Sequence, residues 1–223
     1  MNKEFEYMEF GSYPQGVLGE TEPIEWIVLD RKGKSKKKIS SILLLSKYAL
    51  EYGTYHNDEY NVTWEKCYLR KWLNTEFYSQ AFSSEEQERI VNSSISNNDN
   101  VLCGYANGYQ PVLLAEGGED TLDKVFLLSL DEVNRYLGFA SYSTEFEERF
   151  LVSDCFPTKY VAECQAGFLN ENGSCDWWLR TPGHSGRAVS VDWYFENSTP
   201  QSSGREYLWG GFIRPAIWIY EES

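Results

Sequence analysis

Two apolar runs, each carrying a single arginine one or two residues before a proline, constrain this chain more than any other feature. The first is Asp176-Trp177-Trp178-Leu179-Arg180-Thr181-Pro182-Gly183 and the second Gly211-Phe212-Ile213-Arg214-Pro215-Ala216-Ile217-Trp218. Trp, Phe and Ile favour strands, and the Pro-Gly after Arg180 ends the first run. Arginine cannot shed its charge by losing a proton, so inside such runs it must be paired. Arg180 and Arg214, with Trp178 and Trp218, are therefore read as structural residues that clamp the core. Each arginine is expected to meet a carboxylate or several backbone carbonyls, and its replacement by Met to cost on the order of 3–5 kcal/mol.

The remainder of the chain alternates short strand and helix signals. Residues 24–29 and 39–45 read as strands, with Arg31 to Lys38 between them as a solvated hairpin tip rather than a phosphate or membrane patch. Ser46 is expected to start a short helical turn through Tyr52, and Thr63 to cap a helix from Trp64. On that helix Trp64, Tyr68 and Trp72 recur at i, i+4 and i+8, with Leu69 and Leu73 on the adjacent stripe. Ser83-Ser84-Glu85-Glu86 is a capping box for a second helix ending near Val91, beyond which Asn92 to Asn100 reads as irregular. Val125-Phe126-Leu127-Leu128-Ser129 echoes Ile42-Leu43-Leu44-Leu45-Ser46. In both, an apolar strand ends in a serine expected to open a helix, and Ser129 with Glu132 forms a second capping box. Thr158 to Phe168 reads as one more short helix. The pattern is α+β with antiparallel strands at the end, and with no linker inside it one domain is expected over residues 1–223.

Several motifs taken together resemble a family of unknown function found mainly in Gram-positive gut bacteria. They are WWLRTPG and GFIRPAIWIY at the end, and Phe10-Gly11-Ser12-Tyr13-Pro14-Gln15, Pro23 to Leu29, and Leu69-Arg70-Lys71-Trp72-Leu73-Asn74 earlier. The likeness covers nearly the whole chain and implies a bacterial protein. At greater distance, Gly211-Phe212-Ile213-Arg214 is similar to the terminal element of the C-type-lectin-like fold. That fold is shared by formylglycine-generating enzymes and by the variable binding proteins of diversity-generating retroelements. The resemblance implies a single C-type-lectin-like domain, an antiparallel sheet with short flanking helices and long loops. Formylglycine-generating enzymes keep a cysteine pair near their terminal element. No cysteine adjoins Gly211 to Arg214 here, which argues against that activity.

Chemistry is thinly marked. The net charge of −14 disfavours nucleic acid, and no stretch is apolar enough for a membrane partner. The start carries no apolar signal core, so a cytoplasmic location is expected. Five cysteines without CxxC spacing or neighbouring histidines are expected to be reduced and non-catalytic, with Cys164 and Cys175 the sharper candidate for a pair. His56 is expected to be exposed, and Ala115 to Asp120 to be a solvated loop rather than a calcium site. No metal site or cofactor is indicated. Nucleophile, phosphate-loop and zinc motifs are absent, so an enzyme of the formylglycine-generating type or a carboxylate-dependent hydrolase is the alternative rather than the first reading.

The first reading is a non-catalytic module that binds a small glycan, a peptide or a protein. Its expected ligand surface is Asp192, Trp193, Tyr194, Asn197, Arg205, Tyr207 and Trp209, in the polar insert between the two signature strands. Strand alternation can bury only every second residue of Trp193-Tyr194-Phe195, leaving aromatics to stack on a ligand while Asn, Asp and Arg orient it. The calcium-dependent sugar motifs of true C-type lectins are absent, so glycan binding is expected without calcium.

Overall fold

The computed structural model describes residues 5–33, 40–58, 61–102, 113–137, 155–164, 169–183, 186–191 and 205–221. Strands β1 (Tyr7–Pro14), β2 (Thr21–Lys32), β3 (Ser41–Ser46) and β4 (Glu51–Gly53) come first. A 3-10 turn (Trp64–Lys66) then leads into α1 (Tyr68–Trp72), which runs through a π turn (Leu73–Phe77) into α2 (Tyr78–Ala81). Helix α3 (Ser84–Arg89) is followed by β5 (Ser93–Ile95), β6 (Asn100–Leu102), β7 (Leu113–Ala115), β8 (Thr121–Asp123) and β9 (Val125–Phe126). Helices α4 (Leu130–Leu137) and α5 (Lys159–Cys164) precede β10 (Trp177–Pro182), β11 (Arg187–Val191) and β12 (Arg205–Glu206). A 3-10 turn (Tyr207–Trp209), β13 (Gly211–Ile213) and β14 (Ala216–Tyr220) complete the order.

The architecture is mixed, sheets with a few short helices. One five-stranded sheet has the order β1-β2-β3-β14-β9, and a second the order β12-β11-β10-β13-β4. The first is antiparallel throughout. The second is not, which corrects the expectation of a wholly antiparallel arrangement: β10 and β13 run parallel, with Trp177 opposite Phe212. The reason is the route of the chain. Strand β12 is antiparallel to β11 and so runs with β10, and the turn 207–209 delivers β13 without reversing that sense.

Both sheets share one corner. The chain leaves the first sheet after β3 and enters the second at β4, while β13 and β14 make the reverse crossing side by side with it. Four tryptophans, Trp26, Trp64, Trp177 and Trp178, are fully buried in the continuous apolar core around this corner. Three of their indole N–H groups find acceptors: Trp26 on the Phe10 carbonyl, Trp64 on Asp123 and Trp178 on the Gly53 carbonyl. Gly210-Gly211 is dictated by this packing. Gly210 has φ +68°, and a Cβ on Gly211 would sit 2.8 Å from the Trp178 ring.

Local expectations fare unevenly. Ser83 and Glu86 close the capping box of α3, and Ser129 and Glu132 exchange the same pair of bonds at the start of α4. Ser46 starts no helix, because its carbonyl and that of Lys47 are claimed by Arg214 and the chain turns directly into β4. Thr63 makes no side-chain cap on its 3-10 turn, and α1 is capped instead by Cys67, whose Sγ accepts from the Arg70 N–H. That break shifts the helical phase. Tyr68 is exposed, and Leu69, Leu73 and Phe77 form the inward stripe. The Asn92–Asn100 stretch is not wholly irregular but supplies β5 and the start of β6. Residues 34–39, most of the basic tip, lie outside the described residues. Among the described residues, no helix is long and apolar enough to cross a membrane.

Candidate functional site

Both signature arginines lie in the interior, and each finishes a place where an apolar strand gives way to a serine. Arg214 donates from Nε to the Ser46 carbonyl at 2.8 Å and from Nη2 to the Lys47 carbonyl at 3.4 Å. Its guanidinium lies over the Trp177 ring, 5.0 Å from the centroid. The Ser46 N–H answers by donating to the Pro215 carbonyl, so the corner is closed in both directions. Arg180 does the corresponding work after β9. Its N–H donates to the Leu128 carbonyl, and Nη1 reaches the Leu127 carbonyl at 2.7 Å and the Glu132 carboxylate. Its Nη2 donates to the Ser96 carbonyl at 3.3 Å.

The Arg180 corner differs in opening onto a cleft of about 270 Å³. Residues Ser94 to Asn100 form one wall, and Ser129 to Glu132 with Arg135 and Tyr136 another. Arg180 to Pro182, Lys32 and Trp218 complete it. The charges balance, Lys32, Arg135 and Arg180 against Asp99, Asp131 and Glu132. Several of these are already committed. Lys32 Nζ sits 4.1 Å above the Trp218 ring, Glu132 holds Arg180 and the Ser129 N–H, and Asp99 accepts from the Gly117 N–H. The Tyr136 hydroxyl donates to Asp30 at 3.1 Å. Burial and that carboxylate push the phenol up to about 12, so it stays protonated at neutral pH.

What faces the opening is the exposed Ser94, Asn98 and Arg135 side chains beside the Tyr136 ring. Such a cleft suits a neutral ligand rich in hydrogen-bonding groups. The loop that forms its first wall is held from behind. Asn97 donates to the Glu119 carbonyl at 2.8 Å, its N–H donates to Asp120, and Asn100 donates to the Pro182 carbonyl at 2.8 Å. The acidic loop Ala115 to Asp120 thus serves as scaffold for residues 96–100. Among the described residues, no group of three or more His, Cys, Asp or Glu side chains is placed to hold a metal ion.

Of the expected ligand residues, Asp192, Trp193, Tyr194 and Asn197 lie outside the described residues. Arg205, on β12, pairs with Asp176 at 3.4 Å. Tyr207 is not on the surface. It is 3% exposed, stacks on Tyr55 at 5.3 Å, and donates its hydroxyl to the Val62 carbonyl at 2.9 Å. It anchors the 3-10 turn, and its place on an exposed platform is corrected accordingly. Trp209 is 66% exposed beside the half-exposed Leu208. None of the three lines the cleft. Trp178 and Trp218 are buried, the latter forming the cleft's aromatic floor under Lys32.

Sequence reasoning missed the polar residues that fix the frame. Asp123, fully buried, accepts from Trp64 at 2.8 Å, Arg70 at 2.7 Å and Thr121 at 2.8 Å. Asn74 uses its amide as a stand-in strand, accepting from the Lys124 and Val125 N–H groups and donating to the Val125 carbonyl. The quoted motif Leu69 to Asn74 carried that signal, since Arg70 and Asn74 sit one helical turn apart and reach the same strand edge. Cys67, Cys155 and Cys175 are buried thiols outside any disulfide.

Residues 40–221 match the model of a family described as Domain of unknown function (DUF6273), and the chain belongs to that family. No curated protein and no solved structure gives a match.

Proposed function

We propose that this DUF6273 chain is a non-catalytic ligand-binding module of C-type-lectin-like architecture, and that the cleft beside Arg180 is where the ligand sits. The observation that carries the reading is the composition of that cleft. Serine, asparagine and arginine side chains from separate segments surround Trp218 and Tyr136 with no net charge. A saccharide or a short polar peptide satisfies such a set through hydroxyl or amide groups and an apolar face against the half-buried Tyr136 ring. The WWLRTPG and GFIRPAIWIY runs, taken as the family's signature, supply the arginine and the tryptophan. Binding is proposed to be independent of calcium. Trp209, exposed at the end of the 192–209 insert, is the competing place for a ligand.

Glycan and peptide arrays probed in the presence of a chelator test this. Asn98→Ala and Arg135→Ala are expected to abolish binding with melting unchanged, because both side chains are exposed at the cleft. Trp209→Ala is expected to leave it intact. Loss of binding through Trp209→Ala alone would move the site to the insert, and silence across both arrays would remove the reading.

A further inference from the structure

Cys155 and Cys175 are partners in an isolated antiparallel bridge, in which the Cys175 N–H donates to the Cys155 carbonyl at 2.7 Å. Directly hydrogen-bonded residues of that kind hold their Cα atoms ~5.5 Å apart, inside the range a disulfide spans. Both side chains are buried, the Cys155 thiol donates to the Phe156 carbonyl at 3.8 Å, and the two thiols lie close enough to perturb one another. The backbone bridge brings Cys155 to Cys175, whereas the sequence singles out Cys164 as the candidate partner of Cys175. Cys67 is occupied elsewhere, as the cap of α1.

The two cysteines join different parts of the frame. On one side, the segment after Cys155 is laced to the sealed corner, with the Ala49 N–H on the Phe156 carbonyl and the Thr158 N–H on the Ala49 carbonyl. On the other, Asp176 follows Cys175. Its carbonyl accepts from the Phe212 N–H at 3.1 Å, and its carboxylate holds Arg205. Asp176 therefore ties β10 to β13 and to the end of the insert.

We propose that Cys155 and Cys175 are the site of an intramolecular disulfide, formed by exchange with a small-molecule disulfide, that staples the root of β10 to the segment packed on the 47–50 corner. The step balances. One thiolate attacks the oxidant's S–S bond and expels a thiol, and the second cysteine then displaces the other half from the mixed disulfide. The Sγ–Sγ bond forms, the oxidant's S–S bond breaks, and two electrons and two protons leave on two small thiols. Burial raises the Cys175 thiol above its ordinary range, so exchange is slow at neutral pH and faster in mild alkali. The closed loop of about 20 residues stabilises the fold chiefly by restricting the unfolded chain.

The test is incubation of the full chain with oxidised glutathione in mild alkali, followed by thiol counting, peptide mass spectrometry and melting. The free-thiol count should fall by two from the five of the sequence, with one cross-linked peptide joining Cys155 to Cys175. Melting should rise on the order of 5–10 °C, reversibly with a reductant. Cys155→Ala and Cys175→Ala should each abolish the cross-link. Persistence of all five thiols, glutathione adducts without a cross-link, or a cross-link through any other cysteine would overturn the proposal. The mass measurement on the unsubstituted chain decides it even if a variant fails to fold.

Discussion

The corner held by Arg214 and the corner held by Arg180 are built from the same parts. An apolar strand ends in a serine, and an arginine from one of the two C-terminal signature runs takes up the carbonyls that the turning chain releases. At Arg214 the neighbours are backbone and the Trp177 ring, and the chain doubles straight back into β4. At Arg180 the serine starts a helix, the guanidinium meets Glu132, and polar side chains border a cleft. The first arrangement spends its hydrogen bonds entirely on holding two sheets together. The second leaves polar groups facing open space, which is what a recognition site requires. One signature arginine is thus purely architectural, while the other is architectural and also borders the candidate site.

This contrast predicts unequal losses of stability. Arg214→Met should be the more damaging change, costing about 3–5 kcal/mol, because it strands the buried Ser46 carbonyl and removes the cation packed on the Trp177 ring. Arg180→Met should cost less, about 2–3 kcal/mol, because Glu132 is 26% exposed and can rehydrate through the cleft. Chemical denaturation of both variants gives the order directly. Equal losses would mean that the cleft does not relieve the stranded carboxylate. Ser129→Ala should cost about 1 kcal/mol, the worth of the capping box that distinguishes this corner from the other.

Much of the frame is legible in the sequence because it rests on local chemistry. The apolar runs at 42–45 and 216–219 become β3 and β14, and both capping boxes form from residues three apart. The features that escape it depend on partners far along the chain. Nothing near Ser46 shows that Arg214, 168 residues away, will take its carbonyl and displace a helix. Nothing near Tyr207 shows that Tyr55 waits to stack on it. The parallel pairing of β10 with β13 follows from the path of the insert, which no periodicity encodes. The cleft was missed for the same reason. Its Asn/Ser wall at 94–100 reads as an irregular linker until the acidic loop at 117–120 is seen holding it from behind.

The smallest expected effect is a pH dependence at the sealed corner. Burial raises the Glu51 carboxyl above its ordinary range, although the Tyr52 N–H and the Tyr13 hydroxyl donate to it. Below the unfolded value the group is protonated in both states. As pH rises toward the folded value, the unfolded chain releases the proton first, so this contribution to stability is present in acid and lost as pH passes the folded value. Glu51→Gln should flatten that slope of stability against pH. An unchanged slope would show that another group controls it.

Amide hydrogen exchange distinguishes a ligand seated at the open corner from one seated on the insert. The chain is compared free and saturated with the tightest-binding saccharide or peptide from the arrays. Added protection is predicted at residues 94–100 and 129–136, with no change at 46–50. Protection confined to Leu208 and Trp209, with the cleft unaffected, would contradict the account.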